Sequence, residues 1–113
     1  MSDDCIFCKI AAGSLPADVV FRTDRLIAFR DIQPQAPTHI LVIPTTHVAS
    51  LDEAADAGML GDLLALARNV ARQEGIAHSG YRTVINTNRD AQQAVDHLHV
   101  HVLGGRPFTW PPG

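Results

Sequence analysis

At 113 residues the chain has the length of one domain, and its 46% hydrophobic content supports only a small core, a shortage that an obligate dimer would relieve. The net charge is −3 with histidines neutral, and no run of Lys or Arg forms a basic patch, which argues against nucleic acid as a main partner. The acidic start "MSDD" is unlike a secretory leader, and no apolar stretch approaches a membrane span, so a soluble cytoplasmic protein is expected, with no structural disulfide between Cys5 and Cys8.

In chain order, "CIFCKIAAG" reads as a short helix with Asp3 or Asp4 as cap, Ile6 and Ile10 on one face, and Gly13 as its stop. "DVVFR" and "LIAFR" flank "TD" and predict a hairpin from Asp18 to Arg30. Pro34 and Pro37 make "DIQPQAPTH" a loop, after which "HILVIP" is a buried strand ended by Pro44. Met59, Leu60, Leu63, Leu64, Ala67, Val70 and Ala71 recur at helical spacing, predicting a helix from about Ala57 to Glu74 that Gly75 ends. "YRTVINTN" is a fourth strand and "HLHVHVLGG" a fifth, joined by the polar "RDAQQAV". Strands, one long helix, then strands again give an α+β fold with a mostly antiparallel five-stranded sheet. The tail "RPFTWPPG" needs an anchor or it will fray.

The histidines carry the chemistry. On a strand, residues i, i+2 and i+4 share a face, so His97, His99 and His101 project together while Leu98, Val100 and Val102 turn to the core. A plain polar strand face is one reading. A metal held by all three is a poor one, because the outer two Cα atoms lie roughly 13 Å apart on an extended strand, while zinc–imidazole bonds are about 2 Å long. The remaining reading divides the work. One neutral imidazole attacks phosphorus without prior deprotonation, its second nitrogen keeps a proton bound to an acceptor, and neighbouring donors hold the phosphoryl oxygens.

"HLHVHVL" resembles the His-x-His-x-His-x-x signature of the histidine triad nucleotide-binding proteins. "CIFCKI", "LIAFRDIQPQAPTHILVIPTTH", "GYRTVIN" and "HLHVHVLGGRPFTWPPG" resemble the Hint branch, the purine nucleoside phosphoramidases, so the likeness runs over nearly all of residues 1–113, with 107–113 as a C-terminal tail. The resemblance implies a single HIT domain that pairs into a homodimer with a continuous sheet. It implies hydrolysis of purine nucleoside phosphoramidates, with an AMP or GMP moiety bound and a nucleotidyl-histidine intermediate. It makes His99 the nucleophile, His101 a phosphate contact, and the His97 carbonyl the holder of the His99 Nδ1 proton. Asn86 falls to the phosphate region, Asp31 to the ribose hydroxyls, and Ile32, with Ile6, Phe7, Ile10 and Phe29, to a slot for the base. For Cys5 and Cys8, relatives carrying the same pair, and the related galactose-1-phosphate uridylyltransferases, imply a structural zinc completed by His47 and His97. His39 reads as a hydrogen-bonded structural residue and His78 as exposed.

One segment departs from the family pattern. Where Gly-Gln-Ser is usual the chain has Gln92, Gln93 and Ala94, so backbone N–H groups at 93 and 94 remain for phosphate but the hydroxyl is lost. Proton assistance of that kind is typically worth about 10²–10⁴-fold in rate. The alternatives are therefore a dinucleoside polyphosphate hydrolase of the same superfamily, against which the "WPPG" tail argues, and a nucleotide-binding or interaction protein with weak catalysis.

Overall fold

The structure is a computed structural model that describes residues 4–113. Its elements are α1 (Ile6–Ala11), β1 (Val19–Arg22), β2 (Leu26–Arg30), β3 (Thr38–Pro44), a 3₁₀ turn at Leu51–Glu53, α2 (Ala57–Gln73), β4 (Tyr81–Val84) and β5 (Val100–Gly104). The five strands form one sheet in the order β1-β2-β3-β5-β4, antiparallel at every pairing. No described helix is long and apolar enough to cross a membrane.

Alternation along β3 explains how the sheet is covered on both sides. Ile40 and Val42 join Ala28, Val100 and Val102 on one face, against Leu63, Leu66, Ala67, Val70 and Ala71 of α2. Leu41 and Ile43 join Ile27 and Phe29 on the other, under Phe7 and Ile10 of α1. A strand buried on both faces reads as a continuous apolar run, as "HILVIP" does. Asp56 caps α2 by accepting from the Met59 amide, and Gly75, at φ +77°, turns the chain after its end. The Arg30 guanidinium forms a two-pronged pair with Glu74 at 2.8 and 3.0 Å, tying the end of β2 to the end of α2.

Three expectations shift. The α1 cap is Cys5, whose sulfur accepts from the Cys8 amide at 3.3 Å; Asp3 lies outside the described residues. The strand expected from His97 begins only at Val100, because the Leu98 amide donates to the Val48 carbonyl at 2.7 Å instead of joining the β-ladder. Likewise β4 stops at Val84, short of Asn86. The tail does find its anchor: the guanidiniums of Arg82 and Arg106 both lie over the Phe108 ring, Arg82 donates to the Thr109 carbonyl, and Arg106 donates to the Gln35 carbonyl.

Candidate active site

The three triad histidines stay close although only His101 lies in a strand. Leu98, Val100 and Val102 fill the α2-side core, which turns His97, His99 and His101 to the α1 side. Phe7, near the start of α1, sets its ring edge-to-face against Phe29, His97 and His99 with centroids 5.5, 5.9 and 5.2 Å away. One aromatic side chain thus fixes the base of the cleft and two histidines together.

Each histidine is oriented by a different partner. Nδ1 of His99 lies 2.7 Å from the His97 carbonyl. A carbonyl only accepts, so Nδ1 carries the proton and Nε2 keeps its lone pair. Burial is the main cause that holds the His99 pKa below the ordinary histidine value, opposed by this hydrogen bond and by Asp31, so the ring favours its neutral form. His101 is pushed to about 4, first by burial and then by the neighbouring His99 and His39. Nε2 of His97 donates to the Pro44 carbonyl at 2.8 Å, which leaves its Nδ1 lone pair for other partners.

Those partners are the cysteines. Nδ1 of His97 is 3.3 Å from Cys5 Sγ and 3.4 Å from Cys8 Sγ, and His47 Nδ1 is 3.2 Å from Cys8 Sγ. All four donor atoms lie within 4.8 Å of one another. A tetrahedral zinc with bonds of about 2.3 Å to sulfur and about 2.0 Å to nitrogen places S and N ligands about 3.5 Å apart. The spacing fits such an ion. The His97 N–H to Pro44 is the kind of outer hydrogen bond that fixes a ligating imidazole's tautomer.

Beside the triad runs a cleft of about 480 Å³. Ile6, Phe7, Ile10, Phe29 and Leu41 wall it together with Asp31, Ile32, His99, His101 and Ala94, and the Asp31 carboxylate lies within 4.8 Å of a His101 ring nitrogen. Ile32 is 92% exposed, an apolar side chain at the rim with no cover of its own. A second cavity of about 400 Å³ lies across a ridge of Ile6, Ala94 and Val95 and includes Asp4 and Asp96. Leu15, Pro16, Ala17 and Val95 also line the cleft from loops whose packing carries no periodic signal, and Leu41 joins them from the α1-side face of β3, where strand alternation was the available signal.

Asn86, Gln92 and Gln93 are not among the residues lining the cleft. The Gln93 amide, expected to be available for phosphate, donates to the Asn88 carbonyl at 3.1 Å. Its side chain is also fully engaged: Oε1 accepts from the Asn88 amide, and Nε2 donates to the Ala49 and Val95 carbonyls. Gln93 therefore braces its loop. Gln92 sits at φ +59°, the left-handed region where glycine is the comfortable residue, which gives a physical reason why Gly is usual there.

His39 holds a larger place than its reading as a structural residue implied. Its Nδ1 accepts from the Gln35 amide at 3.0 Å, and its Nε2 lies 2.8 Å from His101 Nδ1 and 3.5 Å from Asp31 Oδ2. Strand alternation was the available signal, since His39 lies two residues before Leu41, the β-partner of His101. Asp31, His39 and His101 also bring three possible metal donors together. An ion would need the lone pair of His39 Nε2 and would force a proton onto Nδ1, against the Gln35 amide. Hydrogen bonding accounts for this group better than a metal does.

The model of the HIT domain matches residues 12–108. A purine nucleoside phosphoramidase of Escherichia coli is 47% identical over 110 residues, covering 96% of this chain and 92% of its own. The crystal structure of a HIT family hydrolase from Legionella pneumophila superposes with a TM-score of 0.95 at 49% identity, covering 97% of this chain and 100% of the other. A zinc-bound histidine triad family protein from Mycobacterium smegmatis superposes with a TM-score of 0.85 at 28% identity, over 100% of this chain and 82% of its own. Signature, sheet order and these likenesses agree: the chain belongs to the HIT family.

Proposed function

We propose that this protein hydrolyses the P–N bond of purine nucleoside 5′-phosphoramidates through a nucleotidyl-histidine intermediate on His99. The observation that carries the reading is the His99 Nδ1–His97 carbonyl bond, which leaves a neutral, buried Nε2 as nucleophile beside an apolar cleft that also holds the Asp31 carboxylate. The base lies in the slot of Ile6, Phe7, Ile10, Phe29 and Ile32, and the ribose hydroxyls donate to Asp31, whose two oxygens suit a diol. Of the segment 92–94, Ala94 borders the phosphate, with no amide supplied at 93.

His99 Nε2 attacks the α-phosphorus, the P–N bond breaks, and the amine leaves with the electron pair and takes a proton from solvent. Ala94 offers no hydroxyl for that step. His101 donates a hydrogen bond from Nε2 to a phosphoryl oxygen. Water then attacks phosphorus, the electron pair of the P–N(His99) bond returns to Nε2, and the nucleoside monophosphate departs.

Cys5, Cys8, His47 and His97 would hold a structural zinc, since all four tetrahedral positions are then filled by protein. Bound there, the ion would tie α1 to the backbone that orients His99. A homodimer in the cytoplasm completes the reading, with 1–113 as one HIT domain and the β4 edge and the half-exposed Leu64 of α2 as the joining surface. A monomer in light scattering at micromolar concentration would contradict the pairing.

Ala94 on the cleft ridge favours one second reading, a nucleotide-binding protein with weak catalysis. Turnover of adenosine 5′-phosphoramidate and of a dinucleoside polyphosphate, measured beside AMP affinity, separates the cases. Faster phosphoramidate turnover supports the proposal; AMP binding with no turnover of either compound overturns it in favour of the binder.

A further inference from the structure

The His39 side chain is buried, 5% exposed, yet every polar atom on it is engaged. A backbone amide cannot reverse its polarity, so the Gln35 N–H makes His39 Nδ1 an acceptor. Neutral His39 then carries its one ring proton on Nε2. That proton faces two acceptors, His101 Nδ1 at 2.8 Å and Asp31 Oδ2 at 3.5 Å. His101, accepting at Nδ1, carries its own proton on Nε2. A chain of fixed direction thus runs from the Gln35 backbone through His39 to His101, with a branch to Asp31.

We propose that His39 is a positioning residue that couples Asp31, the ribose acceptor, to His101, the phosphate contact, its single Nε2 proton being divided between the two. The proposal rests on the reading of Asp31 as the ribose acceptor. Asp31 Oδ1 already accepts from the Gln33 amide at 2.8 Å, so the carboxylate is held in place and Oδ2 is the oxygen that faces His39. When the ribose diol donates to this carboxylate, its pull on the His39 proton weakens. The proton then points wholly at His101 Nδ1, which fixes that ring and polarises its Nε2–H toward the phosphoryl oxygens. No proton changes atoms; only the share of one hydrogen bond moves. Burial keeps both imidazoles neutral, as the lowered pKa values of His39 and His101 agree. The cleft would therefore register a ribose in kcat as well as in KM. Binding energy at the sugar is in this way expressed at the reacting phosphorus.

The test compares adenosine 5′-phosphoramidate with its 2′,3′-dideoxy analogue on wild-type protein, His39→Met and His39→Gln. In the wild type the missing diol lowers kcat about tenfold, the size of one weakened charge-supported hydrogen bond. His39→Met lowers kcat on the ribo substrate by on the order of 10²-fold, and the ribo-to-dideoxy ratio of kcat collapses to about one while the ratio of KM persists. His39→Gln, which keeps an N–H toward His101, recovers part of the loss. Histidine ¹⁵N NMR reads the same chain without turnover. His101 carries its proton on Nε2 in ligand-free protein, and AMP shifts its Nδ1 resonance while 2′,3′-dideoxy-AMP does not. A proton on His101 Nδ1, equal responses to the two nucleotides, or a dideoxy kcat penalty unchanged in His39→Met would overturn the proposal. Absence of turnover with the NMR response intact would overturn the hydrolase reading alone.

Discussion

Replacing Gln92 by glycine should stabilise the protein, and the magnitude follows from one dihedral angle. Gln92 sits at φ +59°, where the Cβ of an L-residue crowds its own backbone at a cost of about 1–2 kcal/mol. Glycine removes that cost but adds conformational freedom to the unfolded chain, worth roughly 0.5–1 kcal/mol in the opposite direction. The difference is a net gain of about 0–1.5 kcal/mol, centred near 0.7, or a rise in Tm of about 4 °C at the centre for a chain of this size. Gln92 is exposed, so little packing is lost with its side chain. Gln92→Ala keeps a Cβ at the same φ and separates backbone strain from side-chain loss. Thermal denaturation followed by circular dichroism should rank Gln92→Gly above wild type, with Gln92→Ala close to wild type. If Gln92→Gly melts at or below the wild-type temperature, or if Gln92→Ala gains as much, the strain argument is refuted.

Other perturbations test other parts. With zinc in the four-residue site, Cys5→Ser should lose about one equivalent of metal by atomic absorption and melt at lower temperature; metal-free protein with unaltered melting would remove the ion from the account. His101, near 4 when folded and about 6.5 when unfolded, takes up its proton first in the unfolded chain. Stability is thus full above about pH 6.5, declines as pH falls, and has lost about 3 kcal/mol from this group near pH 4. Urea titrations should show a shallower decline between pH 6.5 and 5 in His101→Gln than in wild type. At Gly104 a Cβ would lie 2.6 Å from Ile76 Cδ1 and 3.0 Å from Ile76 Cβ, so Gly104→Ala should destabilise by about 1–3 kcal/mol in the same titration.

The periodic parts of the sequence were the legible ones. Apolar spacing in "GMLGDLLALARNVA" placed α2 within a residue, and the continuous "HILVIP" marked a strand covered on both sides. The alternation of Leu98, Val100 and Val102 correctly sent His99 and His101 to one face, even though the β-ladder begins only at Val100. What periodicity does not encode is how loops dock. The Leu98–Val48 bond that ends β5 early, the Gln93 side chain donating to the Ala49 carbonyl, and the loop wall of Leu15, Pro16 and Ala17 all join segments far apart in the chain. His39 was legible as a hydrogen-bonded residue, but its partners were not. One of them is the Gln35 amide, a backbone group that a sequence names at every position and distinguishes at none.

The central claim is that His99 Nε2 is the attacking atom, held neutral and aimed by the His97 carbonyl. Its most direct test is rapid quenching of the wild-type protein during turnover of an adenosine phosphoramidate, followed by peptide mass spectrometry. The account predicts an adenylate on the peptide containing His99, attached to that residue, and no such adduct or turnover in His99→Ala. An adenylate on His101, or substantial turnover in His99→Ala, would contradict it.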